Sequence, residues 1–359
     1  MGKRLRTAVT SVLALAMAAV MAGCSSSGSA SGTGASSAGA SASSQEESKA
    51  TAESGTIKIG IIQLLEHDAL DSAREGFVKT LNENGYIDGQ NIIIDYQNAQ
   101  NDQSNLKTIS QRFVQEEDDL ILAIATGAAQ SVAAETSDIP ILGTAITDYE
   151  AAQLVDSSEA PGGNVSGTTD LNPVDKQLAL LKEMLPEAKT LGILYNSSEV
   201  NSEIQAQMAQ AAAEALGLEC KTATVTNTND IAQVMESIAG DVDAIYIPTD
   251  NTFASAMATV SKVAEEYRVP TICGESGMVK SGGLATVGID YYKLGCQTAE
   301  MAIRILRDGE DVSKMPIEGL EDTDVCINLD EAQNIEYEFP QSVIDKATIT
   351  VKDGEVIQK

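Results

Sequence analysis

The chain has 359 residues, 43% of them hydrophobic but only 4% aromatic, and a formal net charge of −30 from 53 Asp and Glu against 23 Lys and Arg. Such acidity disfavours phosphate backbones and anionic headgroups, so nucleic acid is excluded as a partner of the body and the charge is read as a solvated surface. One His and no Trp exclude any triad or metal cluster needing two imidazoles, and the five Cys never stand at the CxxC spacing of a zinc site.

At the N-terminus, Lys3, Arg4 and Arg6 precede the apolar run TAVTSVLALAMAAVMAG (7–23), which ends in small residues. This is the layout of a secretory leader. A membrane span needs about 20 apolar residues, and this shorter run is followed by serine instead of a charge cluster. Met21-Ala22-Gly23-Cys24 resembles the bacterial lipobox, which implies removal of residues 1–23 and acylation of Cys24, mooring the chain to the outer face of a cell membrane. Every residue from Ser25 to Ser44 is Ser, Gly, Ala or Thr, a composition that cannot offset the entropy of ordering. Residues 24–54 are therefore expected to form a tether with a root-mean-square reach of about 30 Å.

The body begins with a strand, IKIGIIQL (57–64), and a helix in which Leu70, Ala73, Phe77, Val78 and Leu81 recur at three- and four-residue steps before Gly85 stops it. Strand-like NIIIDYQNAQND (91–102), DLILAIATG (119–127) and IPILGTAIT (139–147) follow. PGGNVSGTT (161–169) is expected to cross to a second lobe, with Gly162, Gly163 and Gly167 supplying backbone freedom. The pattern then repeats. TLGILYNS (190–197) matches the first strand, and a helix follows whose apolar stripe is Ile204, Met208, Ala212 and Leu216, with Gly217 as its stop. ECKTATVTNTND, DAIYIPTDN and VPTICGESG repeat the later strands at offsets too long for a solenoid.

After GLATVGID (283–290) come the amphipathic helix YYKLGCQTAEMAIRILRDG, a turn at Pro316 and the strand TDVCINL. A further helix–strand piece after two complete units predicts that the chain crosses back, giving a hinge of several strands. The expected fold is α/β, two doubly wound parallel-sheet lobes, one from 57–167 plus 291–318 and the other from 168–290 plus 319–359. Cys220, Cys273, Cys296 and Cys326 fall mostly in strands or helices, where a free thiol acts as a small apolar group, and no disulfide is expected.

GIIQLLEHDALDSAREGF, LAIATGAAQ, YNSSEVNS, IPTDN and GLATVGIDYYKLG, in this order over residues 57–329, resemble the substrate-binding lipoproteins of ABC importers, and within them the tryptophan/tyrosine-binding family. The resemblance implies a type I periplasmic-binding fold and a non-enzymatic role. The protein would capture an aromatic amino acid between the lobes and deliver it to a permease with a cytoplasmic ATPase. It implies no cofactor and no metal, and a monomer is expected. A lipoprotein sensing a ligand for a membrane receptor, or one binding a branched amino acid or a nucleoside, stays open as an alternative. An enzyme is disfavoured because no P-loop, GxSxG or HExxH is present.

An amino acid presents three groups, each with its own partner. Its carboxylate suits a helix start with unpaired N–H groups. Thr126, Gly127 and Ala128 in TGAAQ fit, and Thr144 in TAIT is a second loop of this kind. Its ammonium suits a desolvated carboxylate. Asp250 is the foremost candidate, with Thr249 and Asn251 beside it, and Glu275 and Asp290 are alternatives that equally read as helix caps. Glu199, Asn201 and Ser202 open the second lobe's first helix, and Gln63 and His67 occupy the corresponding loop of the first. For the side chain, Tyr149, Tyr291 and Tyr292 offer walls or close a core edge.

Overall fold

The computed structural model describes residues 56–359; the leader, Cys24 and the tether lie outside the described residues. In chain order the elements are β1 (Ile57–Gln63), α1 (Asp68–Glu83), β2 (Ile92–Asn98), α2 (Gln103–Gln115), β3 (Leu120–Ile124), α3 (Thr126–Ala133), β4 (Ile141–Ile146) and β5 (Val165–Thr169). They continue as α4 (Val174–Met184), β6 (Thr190–Asn196), α5 (Val200–Ala215), β7 (Glu219–Val225), α6 (Ile231–Ala239), β8 (Ala244–Ile247), α7 (Asn251–Ala254), α8 (Met257–Tyr267), β9 (Thr271–Cys273), α9 (Ser276–Lys280) and β10 (Ala285–Gly288). The chain ends with α10 (Tyr291–Asp308), β11 (Glu318–Gly319), β12 (Asp324–Asn328), α11 (Leu329–Asn334), α12 (Gln341–Lys346), β13 (Ile349–Lys352) and β14 (Glu355–Gln358).

The strands form two sheets. The first has the order β11-β5-β4-β3-β1-β2 and is parallel throughout. Every residue of β3 and β4 is buried, as a strand covered on both faces requires, whereas edge strand β2 leaves Ile93 exposed. The second sheet has the order β14-β13-β12-β10-β9-β8-β6-β7. Its β6 to β10 are parallel, but β12 pairs antiparallel to β10 and β14 to β13. The all-parallel expectation therefore holds for the first lobe and for the centre of the second only. β12 enters from a return crossing, and so runs opposite to the strand it joins.

Three connections link the lobes: residues 170–173 after β5, 289–290 before α10 and 320–323 after β11. α10 follows a strand of the second sheet yet packs its Leu294, Ala299, Met301 and Ala302 into the first lobe's core. It lies very close to α1. A Cβ on Gly295 would meet the Ala73 carbonyl, and one on Gly76 the Tyr292 carbonyl, so two bare Cα positions permit this crossing.

The helix after the second lobe's first strand shows the predicted period on a different face. α5 buries Asn201, Ser202, Gln205, Ala206, Ala209 and Ala213, while Met208 and Leu216 are exposed. The alanines let α5 sit close to its neighbours, and the larger side chains of the expected stripe turn outward. The four cysteines of the body are free.

Strand order fixes where a ligand can enter. In the first sheet the chain moves outward from β1 to β2 and then returns to β3, so the order reverses between β1 and β3. In the second it reverses between β6 and β8. The loops leaving these strands open onto the crevice that doubly wound sheets use for ligands. They hold residues 64–67 and 125–126 on one side and 197–199 and 248–250 on the other.

Candidate functional site

The helices that start at the inter-lobe face divide into two kinds. α7 is capped by Asp250, whose Oδ1 accepts from Phe253 N at 2.9 Å. α9 is capped by Glu275, which accepts from Gly277 N and Met278 N, and α10 by Asp290, which accepts from Tyr292 N at 2.9 Å and Lys293 N at 3.2 Å. α1, α3 and α5 have no side-chain cap. Their first-turn N–H groups keep the partial positive charge that attracts an anion.

The start of α3 is set by Ala125, whose φ of 81° and ψ of 154° lie where residues other than Gly seldom go. Such a conformation costs about 1–3 kcal/mol and collects at ligand sites. It is held by Ala125 N donating to Thr144 O at 3.0 Å, across the β3–β4 pair.

A cavity of about 780 Å³ opens between α3 and α5, lined by Leu64, Thr126, Gly127 and Gln130 from the first lobe and by Asn196, Glu199 and Asn201 from the second, among others. Thr126, Gly127, Glu199 and Asn201 are thus brought together as the sequence suggested. Leu64, Gln130 and Asn196 were not anticipated. An apolar residue closing a strand and polar residues inside a helix give no local signal of a cleft.

Other candidates serve the lobes themselves. Gln63 is buried sideways, donating to Leu65 O at 2.7 Å and Asp71 Oδ1 at 2.9 Å. The Thr144 hydroxyl is bonded to Thr168 in the core at 3.1 Å, and Ala128 is fully buried. Asp250 is occupied at both oxygens, since Asn196 N donates to Oδ2 at 2.6 Å and the Ser202 hydroxyl also supports it. Burial and the neighbouring Glu199 raise its pKa. Burial likewise pushes Glu275 up to about 7 against its two amide donors. These acids hold helices in place through backbone amides.

Three polar side-chain contacts among the described residues join the lobes directly. His67 Nε2 lies 3.2 Å from Asn251 Oδ1, Gln205 Nε2 donates to Thr147 Oγ1 at 3.0 Å, and Lys280 Nζ lies 3.3 Å from Asp68 Oδ2. Asn251 Nδ2 donates to Glu199 at 2.7 Å, which leaves Asn251 Oδ1 to accept from the imidazole. His67 Nδ1 then carries a lone pair, buried and without a partner, and the Thr249 Oγ1 is a second such atom. Burial lowers the His67 pKa although the Asn251 contact and the charges of Glu199, Asp71 and Asp68 oppose it.

One buried carboxylate was missed in the sequence. Asp170 opens the first crossing, 2% exposed, and accepts from the Tyr291 hydroxyl at 2.7 Å and the Thr147 hydroxyl at 3.0 Å. Burial raises its pKa. Its only signal was position, as the acid directly ending PGGNVSGTT.

The model for ABC transporter substrate binding proteins matches residues 58–351. A tyrosine-binding protein of Clostridioides difficile is 46% identical over 79% of this chain and 82% of its own. Among solved structures, an ABC domain from Streptococcus pneumoniae in complex with L-Trp is 38% identical, with a TM-score of 0.79 over 83% of this chain and 100% of that one. The ligand-free, open structure of a Clostridium difficile substrate binding protein with adhesive properties is 47% identical, with a TM-score of 0.65 over 82% and 99%. The architecture is the type I periplasmic-binding fold, and the chain belongs to the ABC transporter substrate-binding protein family.

Proposed function

We propose that this protein captures an aromatic amino acid, tryptophan or tyrosine, between its lobes and presents it to an ABC permease. A lipid on Cys24 would hold it, as a monomer, at the outer face of the membrane. The observation that carries the reading is the order of structural likeness. The chain lies nearer in shape to the tryptophan complex than to the open, ligand-free protein, although it is more identical in sequence to the latter. A two-lobed clamp changes TM-score in this way when the lobes close, and the three direct inter-lobe contacts accord with closure.

The uncapped starts of α3 and α5 suit the solute carboxylate, and Leu64 supplies apolar wall area for a ring. Isothermal titration of the protein with each of the twenty amino acids tests this. Binding is expected for tryptophan or tyrosine in preference to the aliphatic residues, and heat from none of the twenty would overturn the reading. The mooring has its own test: Cys24→Ala should abolish incorporation of labelled fatty acid and release the protein to the medium, whereas continued membrane association without label would exclude the lipid.

A further inference from the structure

Five carboxylates are buried among the described residues: Asp118, Asp170, Asp250, Glu275 and Glu331. Asp250 and Glu275 cap helices through backbone amides. Glu331 accepts from Ser261 Oγ at 2.9 Å on the outer flank of the second lobe, and Asp118 sits beneath Gly60 and Phe113 before β3 begins, at the end of the sheet away from the cleft. Asp170 stands in a connection between the lobes, caps no helix and is met by two hydroxyls. No Lys or Arg pairs with it, and a buried anion without a cation is expensive unless a ligand supplies the charge.

The groups around Asp170 form a small polar cage drawn from both lobes. Thr147 comes from the loop after β4 and Tyr291 from the start of α10. Gln205 of α5 bridges the far side, donating to Thr147 Oγ1 at 3.0 Å and accepting from Thr249 N at 3.2 Å. The Thr249 hydroxyl is buried and faces that of Tyr291. Hydroxyls rotate, so these groups can turn their lone pairs toward an incoming cation. β3, β4 and β5 are successive neighbours, which puts the start of α3 and Asp170 two strand spacings, or about 10 Å, apart. Two hydrogen bonds of about 3 Å each, with one amino-acid backbone between them, span that gap.

We infer that Asp170 is the carboxylate that receives the solute's ammonium, with Thr147, Thr249 and Tyr291 orienting it, while the start of α3 receives the solute's carboxylate. This deepens the amino-acid reading above and rests on it. Asp170 lies behind the Thr147–Gln205 contact and outside the lining of the solvent-facing cavity, so the inference also places the amino-acid head at the hinge side of the cleft and the ring toward the mouth.

The test compares the parent protein with Asp170→Asn and Asp170→Glu by calorimetry, using tryptophan, tyrosine and their des-amino analogues indole-3-propionate and 3-(4-hydroxyphenyl)propionate, with melting temperature read on each variant. Asp170→Asn should weaken tryptophan or tyrosine binding about ten- to a hundredfold, the scale of a lost charge-assisted hydrogen bond. It should erase the preference for the amino acid over its analogue, and keep or raise the melting temperature; Asp170→Glu should recover part of the preference. Unchanged preference in Asp170→Asn, or equal loss for amino acid and analogue with a lower melting temperature, overturns the assignment. A parent protein that binds no aromatic amino acid overturns the solute reading itself, which is a distinguishable failure.

Discussion

His67 is the one imidazole of the chain, and it meets the opposite lobe. In the closed arrangement its pKa is lowered by burial, so closing disfavours the charged form. In an open cleft it should titrate near the ordinary value of about 6.5. The closed state therefore binds fewer protons than the open one, and closure is favoured in full above that value and weakened as the pH falls below it. Solute affinity should decline between pH 7 and pH 5.5, and His67→Gln, which keeps a donor for Asn251, should flatten that decline. Titration calorimetry across this range checks it; an identical acid limb in both proteins would assign the effect elsewhere. At the same scale, the carboxylates show what sequence could not say. Asp250, Glu275 and Asp290 all precede helices, where an acid serves as a cap or as a ligand contact, and the hydrogen bonds of the folded chain show the capping role of each. Asp170 had no helix to cap, and its isolation became visible only when Tyr291, 121 positions away, closed over it.

Elements were more legible than residues. β3 and β4 read as buried strands because their apolar runs lack alternation, and α1 read correctly because Leu70, Phe77 and Leu81 share a face that is buried. α5 kept the helical period but buried a face holding Asn201, Ser202 and Gln205. A hydrophobicity pattern cannot find such a face, because the polar groups on it are satisfied by the site: Asn201 Nδ2 by Thr249 O at 3.0 Å and Gln205 by Thr147. This is where local propensity gives way to function. The antiparallel margin of the second sheet was likewise hidden, since the direction in which β12 enters is a property of the return crossing and not of TDVCINL itself. The repeat between halves, by contrast, carried the two-lobe architecture, while the switch points emerge only from the strand order of the folded chain.

At the scale of the molecule, the balance between open and closed forms decides function. Moving a clamp from 1:99 to 99:1 takes about 5.5 kcal/mol of differential binding. The two hydrogen-bonded inter-lobe contacts, His67–Asn251 and Gln205–Thr147, contribute about 0.5–1.5 kcal/mol each. The Lys280–Asp68 pair is partly exposed and adds little, since such pairs are worth about 0–1 kcal/mol. These contacts belong to the ligand-free balance, and a solute bridging both lobes is expected to shift it through its charged head and ring, so that the permease meets a closed form that reports occupancy.

Small-angle scattering of the protein with and without saturating tryptophan or tyrosine tests this most directly. The account predicts a smaller radius of gyration in the presence of the bound amino acid and no change with a solute that does not bind. Superimposable profiles under conditions where calorimetry shows saturation would contradict it.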